Sequence, residues 1–219
     1  LDRSPYEHVN SVVARFAPRA FQRPLSAGEL EAYASLAKPF LDAGRPFEEA
    51  VRVSLRAILS SPQFIFDAGD SGRLDNFGLA RRLAAFLWRS TPDEELLAIA
   101  HQELLQHDGH LMEQVDRMLD HPKSRRFVND FAGQAFRLYE LLSTTPDKTL
   151  YSTYDSRLAQ AMELETQLFF EELVQADLSV SNLIDSDFTF VNRRLAEHYE
   201  IPGIQGTHMR RVTLPEGSP

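Results

Sequence analysis

Glu165 and Glu172 are the residues whose type and spacing come nearest to chemistry. They stand seven positions apart in Ser156–Gln175, a stretch whose apolar residues recur at helical spacing. At about 100° per residue, Leu158, Ala161, Met162, Leu168, Phe169 and Leu173 gather on one face, and both glutamates fall inside that stripe. Glu163 and Glu171 point elsewhere. A carboxylate in an apolar stripe has to be paired, protonated or solvated through a cavity, because burying it alone is very costly. One reading is an ion pair that locks helices together. Arg82 is then the natural partner, since it borders the apolar face of the helix expected over Asp75–Arg89, and Arg137 is a second candidate. Another is a carboxylate acting as general base or metal ligand. A paired-carboxylate hydrolase would need two acids about 5–9.5 Å apart across a cleft. In the third, either glutamate sits at an exposed margin.

The other side chains exclude more than they offer. Cysteine is absent, which removes disulfides, thiolate metal sites, a catalytic thiol and covalent haem attachment. No Glu-x-x-His or His-Glu-x-x-His spacing occurs, so neither the di-iron bundle pattern nor the zinc-protease helix is present. His101, His107, His110 and His121 fall on separate turns and are expected at helix ends in solvent. His198 is expected to pack or hydrogen-bond. There is no Gly-x-Ser-x-Gly elbow and no glycine-rich phosphate loop. Arginine pairs at 81–82, 125–126, 193–194 and 210–211 are spread among acids and read as salt-bridge partners, not as a nucleic-acid stripe. No cofactor and no metal are therefore expected within this chain.

Charge bears on partners. Residues 1–68 carry eight basic and eight acidic groups, so the net −9 arises wholly in 69–219, with 15 basic against 24 acidic. Residues 147–187 hold Lys148 and Arg157 against nine carboxylates, a local balance of −7. Such a surface repels nucleic acid and anionic membranes, and it is either a solvated face or an attractor of a basic partner or cations. No apolar run approaches bilayer length, so no membrane insertion is expected. Fifteen Phe against one Trp favour aromatic packing inside over an aromatic ligand platform.

The elements that must position these residues are helices. Ser4-Pro5 opens the first, running to about Phe21. Ser26 and Glu29 form a capping box for a second, to about Leu41 with a bend at Pro39. Gly44 and Pro46 precede a third, with Phe47, Val51, Leu55, Ile58 and Leu59 at helical spacing, closed by Ser61-Pro62. Asp67–Gly72 is the expected linker. Beyond it Asp75 caps a helix, Thr91-Pro92-Asp93-Glu94 reads as a capping box with Pro at the first helical position, and Asp108 caps another. Pro122 begins an apolar helix in which Gly133 is expected to serve close packing. Ser143–Pro146 is a loop before the long helix from Ser156 to Gln175. Thr189–Val191 and Arg210–Leu214 are the candidate strands. The expectation is an all-α chain of eight to nine helices in two packed units, 1–68 and 69–219, with at most one or two short strands near the C-terminus.

Several strings carry a family likeness. Residues 14–25 (ARFAPRAFQRPL) and 55–66 (LRAILSSPQFIF) resemble one domain, and 79–97 (LARRLAAFLWRSTPDEELL), 127–134 (FVNDFAGQ) and 187–203 (DFTFVNRRLAEHYEIPG) resemble the next, of a family of large exported proteins best known from planctomycetes. Those proteins are built from successive domains of unknown function, often attached to a c-type cytochrome domain. The resemblance implies an exported, periplasmic or cell-surface origin and a redox-linked parent protein with haem c elsewhere. It supplies no activity. Leu1 in place of Met, with no signal peptide, and a C-terminal end short of the family's glycine-containing stretch together lead to the expectation of a piece of that longer protein. The partners are then neighbouring domains of the same parent, and the expected role is a non-catalytic scaffold or interaction domain. The alternative is a helical part of an enzyme, acting on a polymer with the cytochrome as electron acceptor and using Glu165, Glu172 and Arg82.

Overall fold

The structure, a computed structural model, describes residues 4–66, 72–143 and 145–214. It is mainly helical with one two-stranded antiparallel sheet, and packing divides it into two compact units. One comprises residues 1–85 and 90–114, the other 86–89 and 115–219. The linker expected at Asp67–Gly72 lies, apart from Gly72, outside the described residues.

In the first unit, α1 (Pro5–Phe21) begins where Ser4 accepts from the Glu7 N–H and the Glu7 carboxylate accepts from the Ser4 N–H at 2.7 Å. The same reciprocal box, Ser26 with Glu29, starts α2 (Ala27–Ser35). The second helix does not run unbroken to Leu41. It stops at Ser35 and resumes as α3 (Lys38–Asp42), because Pro39 has no N–H for the Ser35 carbonyl and its ring crowds that oxygen. Then α4 (Phe47–Leu59) packs back on α1. Pro62 does more than end α4: it occupies the first position of a short α5 (Pro62–Ile65), where a missing N–H costs nothing.

Val9, Val13, Ala17 and Phe21 recur every fourth residue along α1 and form the core with Ala34, Ala37, Ala50 and Ile58. Each fully buried Val or Ile contributes about 1.5–3 kcal/mol.

Asp75 accepts from the Gly78 N–H at 2.5 Å and starts α6 (Asn76–Trp88). A Cβ on Gly78 would sit 2.9 Å from that carboxylate, so a larger residue there would have to displace the cap. The next helix, α7 (Glu94–His101), corrects the Thr91–Glu94 box: its cap is Asp93, which accepts from the Leu96 N–H at 3.0 Å. Aspartate is the better cap of the two and leaves Pro92 outside the helix. Asp108 opens α8 (Asp108–Asp120) as its first residue.

In the second unit, Trp88 is buried and its indole N–H donates to the Met118 carbonyl at 2.9 Å. A 3-10 turn at Pro122–Ser124 leads into α9 (Arg125–Ala135). Among the described residues Gly133 does not serve close packing: a Cβ placed there meets nothing within 4 Å. Its side of α9 is open, whereas Val128 and Ala132 are the buried positions. After α10 (Tyr139–Ser143) comes α11 (Ser156–Gln175), with the expected ends and Asp155 as cap, accepting from the Leu158 N–H at 2.8 Å.

A 3-10 turn (Val180–Leu183), β1 (Phe188–Val191), α12 (Arg193–His198) and β2 (Arg210–Thr213) complete the unit. The register pairs Phe188 with Thr213 and Val191 with Arg210. Among the described residues, no helix is long and apolar enough to cross a membrane.

Candidate functional site

Two faces of α11 are in use. One meets α9, where Phe170 stacks on Phe131 at 5.1 Å and Glu171 pairs with Arg125 at 3.0 Å. The other buries Leu158 and Ala161 against Val191, Leu195 and Ala196. That second contact places the site. Asn192 caps α12 by accepting from the Leu195 N–H at 3.0 Å, which turns Leu195 and Ala196 inward onto α11. At the other end of α12, Glu200 takes a left-handed conformation (φ 58°) and the Ile201 N–H returns to the Ala196 carbonyl at 2.8 Å. This Schellman-type close fixes Tyr199 at the helix end with its phenol toward α11.

Glu165 lies between β1 and that helix end. Its Oε1 accepts from the Thr189 hydroxyl at 2.5 Å and its Oε2 from the Tyr199 hydroxyl at 2.8 Å. Burial raises the Glu165 carboxyl above its ordinary value, and the two hydroxyl donors only partly oppose this. Tyr199 is pushed well above the tyrosine range by its own burial and by the negative charge of Glu165, so it stays a neutral donor. Glu165, Thr189, Tyr199, His198, Glu200 and Asn182 line a pocket of about 630 Å³.

The ion-pair reading of Glu165 is thus corrected. Among the described residues it has two hydroxyl partners and no ion pair; Arg137 instead pairs with Glu140, three residues on. Hydroxyls suffice because Glu165 is only half-buried and needs two donors, not a full counter-charge. Glu172 does pair, with Arg211 on β2 at 3.5 Å, and it is not among the residues lining the pocket. Two helical turns, about 10.5 Å of rise, separate the two glutamates. Arg82 belongs to the first unit and does not line the pocket.

Sequence reading found Glu165 but missed its partners as site residues. His198 read as a packing or hydrogen-bonding residue, and Thr189 only as part of a candidate strand. Thr189 and Tyr199 lie 24 and 34 residues from Glu165, beyond any spacing rule.

His110 and His121 have local contacts. His121 accepts from the Lys123 N–H at 3.1 Å and packs on Trp88, and His110 lies 3.4 Å from Glu113. Among the described residues no group of three or more His, Asp or Glu is arranged to hold a metal ion. A second hollow, of about 960 Å³, lies beside α1 in the first unit, with Arg15, Arg19, Phe16, Leu59 and Phe64 on its walls and no carboxylate among the described lining residues.

Residues 8–68 match the family model described as Protein of unknown function (DUF1595), and residues 74–201 match that described as Protein of unknown function (DUF1592). No curated protein and no solved structure matches the chain. Glu165, Thr189, His198 and Tyr199 all fall within the second match, which covers more than half of the 219 residues. The chain therefore belongs to the DUF1592 family of proteins of unknown function, with a DUF1595 domain preceding it.

Proposed function

We propose that this chain is a non-catalytic helical interaction domain that docks against neighbouring parts of a larger, exported, cytochrome c-linked protein. The observation that carries this reading is an ordered turn whose aliphatic side chains face water. Val180 is 74%, Leu183 40% and Ile184 94% exposed. The turn is held by its own backbone, with Asn182 N–H to the Ser179 carbonyl at 3.0 Å and Ile184 N–H to that of Ser181 at 2.9 Å. Clustered aliphatic exposure on fixed backbone is the mark of a surface meant to be covered. Export and the cytochrome link rest on the family resemblance of residues 79–97 and 187–203.

The test compares V180S/L183S/I184S in the chain alone and in the product of the complete gene. Alone, each surface change shifts stability by no more than about 0.5 kcal/mol, whereas the longer protein loses a docking contact and unfolds at lower urea. Equal effects in both would contradict docking.

Glu165 favours a second reading, a redox-linked or polymer-degrading enzyme. A carboxyl with a raised pKa, facing a pocket beside Tyr199 and His198, has the properties of a general acid. The version that pairs Glu165 with Glu172 has no support, because Glu172 is bound to Arg211 outside the pocket. Unchanged turnover by E165Q of any substrate the longer protein is found to process would remove this reading.

A further inference from the structure

We infer that the pocket between α11, β1 and the end of α12 binds an aliphatic ammonium group. The argument begins with where the protons point. The Thr189 and Tyr199 hydroxyls both spend their hydrogen on Glu165. Ser186 spends its own on the Phe188 carbonyl at 3.2 Å, and the Asn182 amide nitrogen donates to the Ser179 carbonyl at 2.9 Å. What remains unused on these groups is mostly lone pairs: on the hydroxyl oxygens and on both oxygens of Glu165, each of which has accepted one hydrogen bond and can accept another, while Asn182 keeps its carbonyl oxygen beside one further amide N–H. Glu200 adds a second carboxylate to the wall. Among the described lining residues there is no Lys or Arg, and only His198 is able to donate with a charge.

An acceptor-rich wall with two carboxylates selects a ligand that only donates. An ammonium offers three N–H donors and no acceptor, whereas a neutral alcohol or sugar brings as many acceptors as donors and leaves part of the wall unpaired. A carboxylate or phosphate is repelled. The rest of the wall is aliphatic and aromatic, with Ile184, Ile201, Leu214 and Phe188, so the cation should carry an alkyl stem that lies along it while the charged head reaches Glu165. The wider field agrees, because the pocket draws Glu165, Asn182, Ile184 and Ser186 from the segment 147–187, whose balance is −7.

The same alkylammonium occurs on a free amine and on a lysine side chain. The two sources are separated by the probes. Backbone amide shifts of the chain alone are followed during titration with n-butylammonium, with Nα-acetyl-lysine amide, and with n-butanol and butyrate as controls.

The expected result is a saturable shift at Thr189 and at His198–Ile201 with butylammonium, at a millimolar Kd fitting so small a ligand, and none with butanol or butyrate. A matching shift with the lysine derivative extends the site to lysine side chains of a partner. No shift with that derivative restricts it to free amines. E165Q, which keeps the shape and loses the charge, should weaken butylammonium by about tenfold. E200Q, at an exposed position, should weaken it by about two- to threefold with the spectrum otherwise unchanged. No saturable shift up to tens of millimolar, equal shifts with butanol, or undiminished binding by both variants would overturn the inference. The titration uses the chain alone, so its failure would leave docking through Val180–Ile184 standing.

Discussion

Glu165 joins three elements through two hydrogen bonds, and each can be removed singly. A hydrogen bond to a charged group is worth about 1.5–3 kcal/mol when well buried. Tyr199 is half in solvent, so Y199F should cost about 1 kcal/mol in urea unfolding, with T189V costing somewhat more.

The carboxyl also leaves a signature in pH. Its folded value lies above the ordinary 4.5, so the folded chain holds this proton more tightly than the unfolded chain. Between the two values the native state binds more protons, and stability must fall as pH rises. The stability of the natural chain minus that of E165Q should therefore decline from about pH 4.5 upward and level off above the folded value. A difference that stays flat or rises with pH contradicts the burial of Glu165.

That Glu165 would need special surroundings was legible, because a helical stripe is a local pattern. That its partners would be hydroxyls was not. Thr189 reaches it only through strand pairing, and Tyr199 only through the cap and close of a helix far along the chain.

Elements read well wherever a single cap decided them. Ser4, Ser26 and Asp75 all receive the helix N–H groups that their sequence context implied. Thr91 failed because a stronger cap, Asp93, stands two residues later, a competition that spacing alone does not rank. D93A should cost about 1 kcal/mol and T91A little, by thermal or urea unfolding.

Gly133 failed for a different reason: sequence shows a glycine in a helix but not what faces it. With nothing within 4 Å of where a methyl group would sit, G133A should stabilise the protein by up to about 1 kcal/mol through helix propensity. Destabilisation would mean that this face of α9 is covered. Glu29 offers a check on the first unit. Arg23 at 2.6 Å and the Ser26 cap hold its carboxyl down to about 2. Its contribution is therefore present above the ordinary 4.5 and is lost as pH falls from there toward 2. Because its side chain is more than a third exposed, E29Q should cost only about 0.5–1 kcal/mol at neutral pH.

At the scale of the whole molecule, the chain unites an acidic surface, a polar pocket and a neighbouring turn of exposed aliphatic side chains. Ile184 belongs to both pocket and turn, so a partner covering the turn would also meet the acceptor wall around Glu165. The acidic balance is visible in composition but the turn is not, because an exposed Val, Leu or Ile differs from a buried one only in what lies above it. The claim that the turn is a docking surface is tested most directly by amide hydrogen exchange at Val180–Ile184, in the chain alone and in the product of the complete gene. The account predicts that exchange there slows by about tenfold or more in the longer protein, since covering an ordered turn raises the free energy of opening it. Equal exchange in both would contradict it.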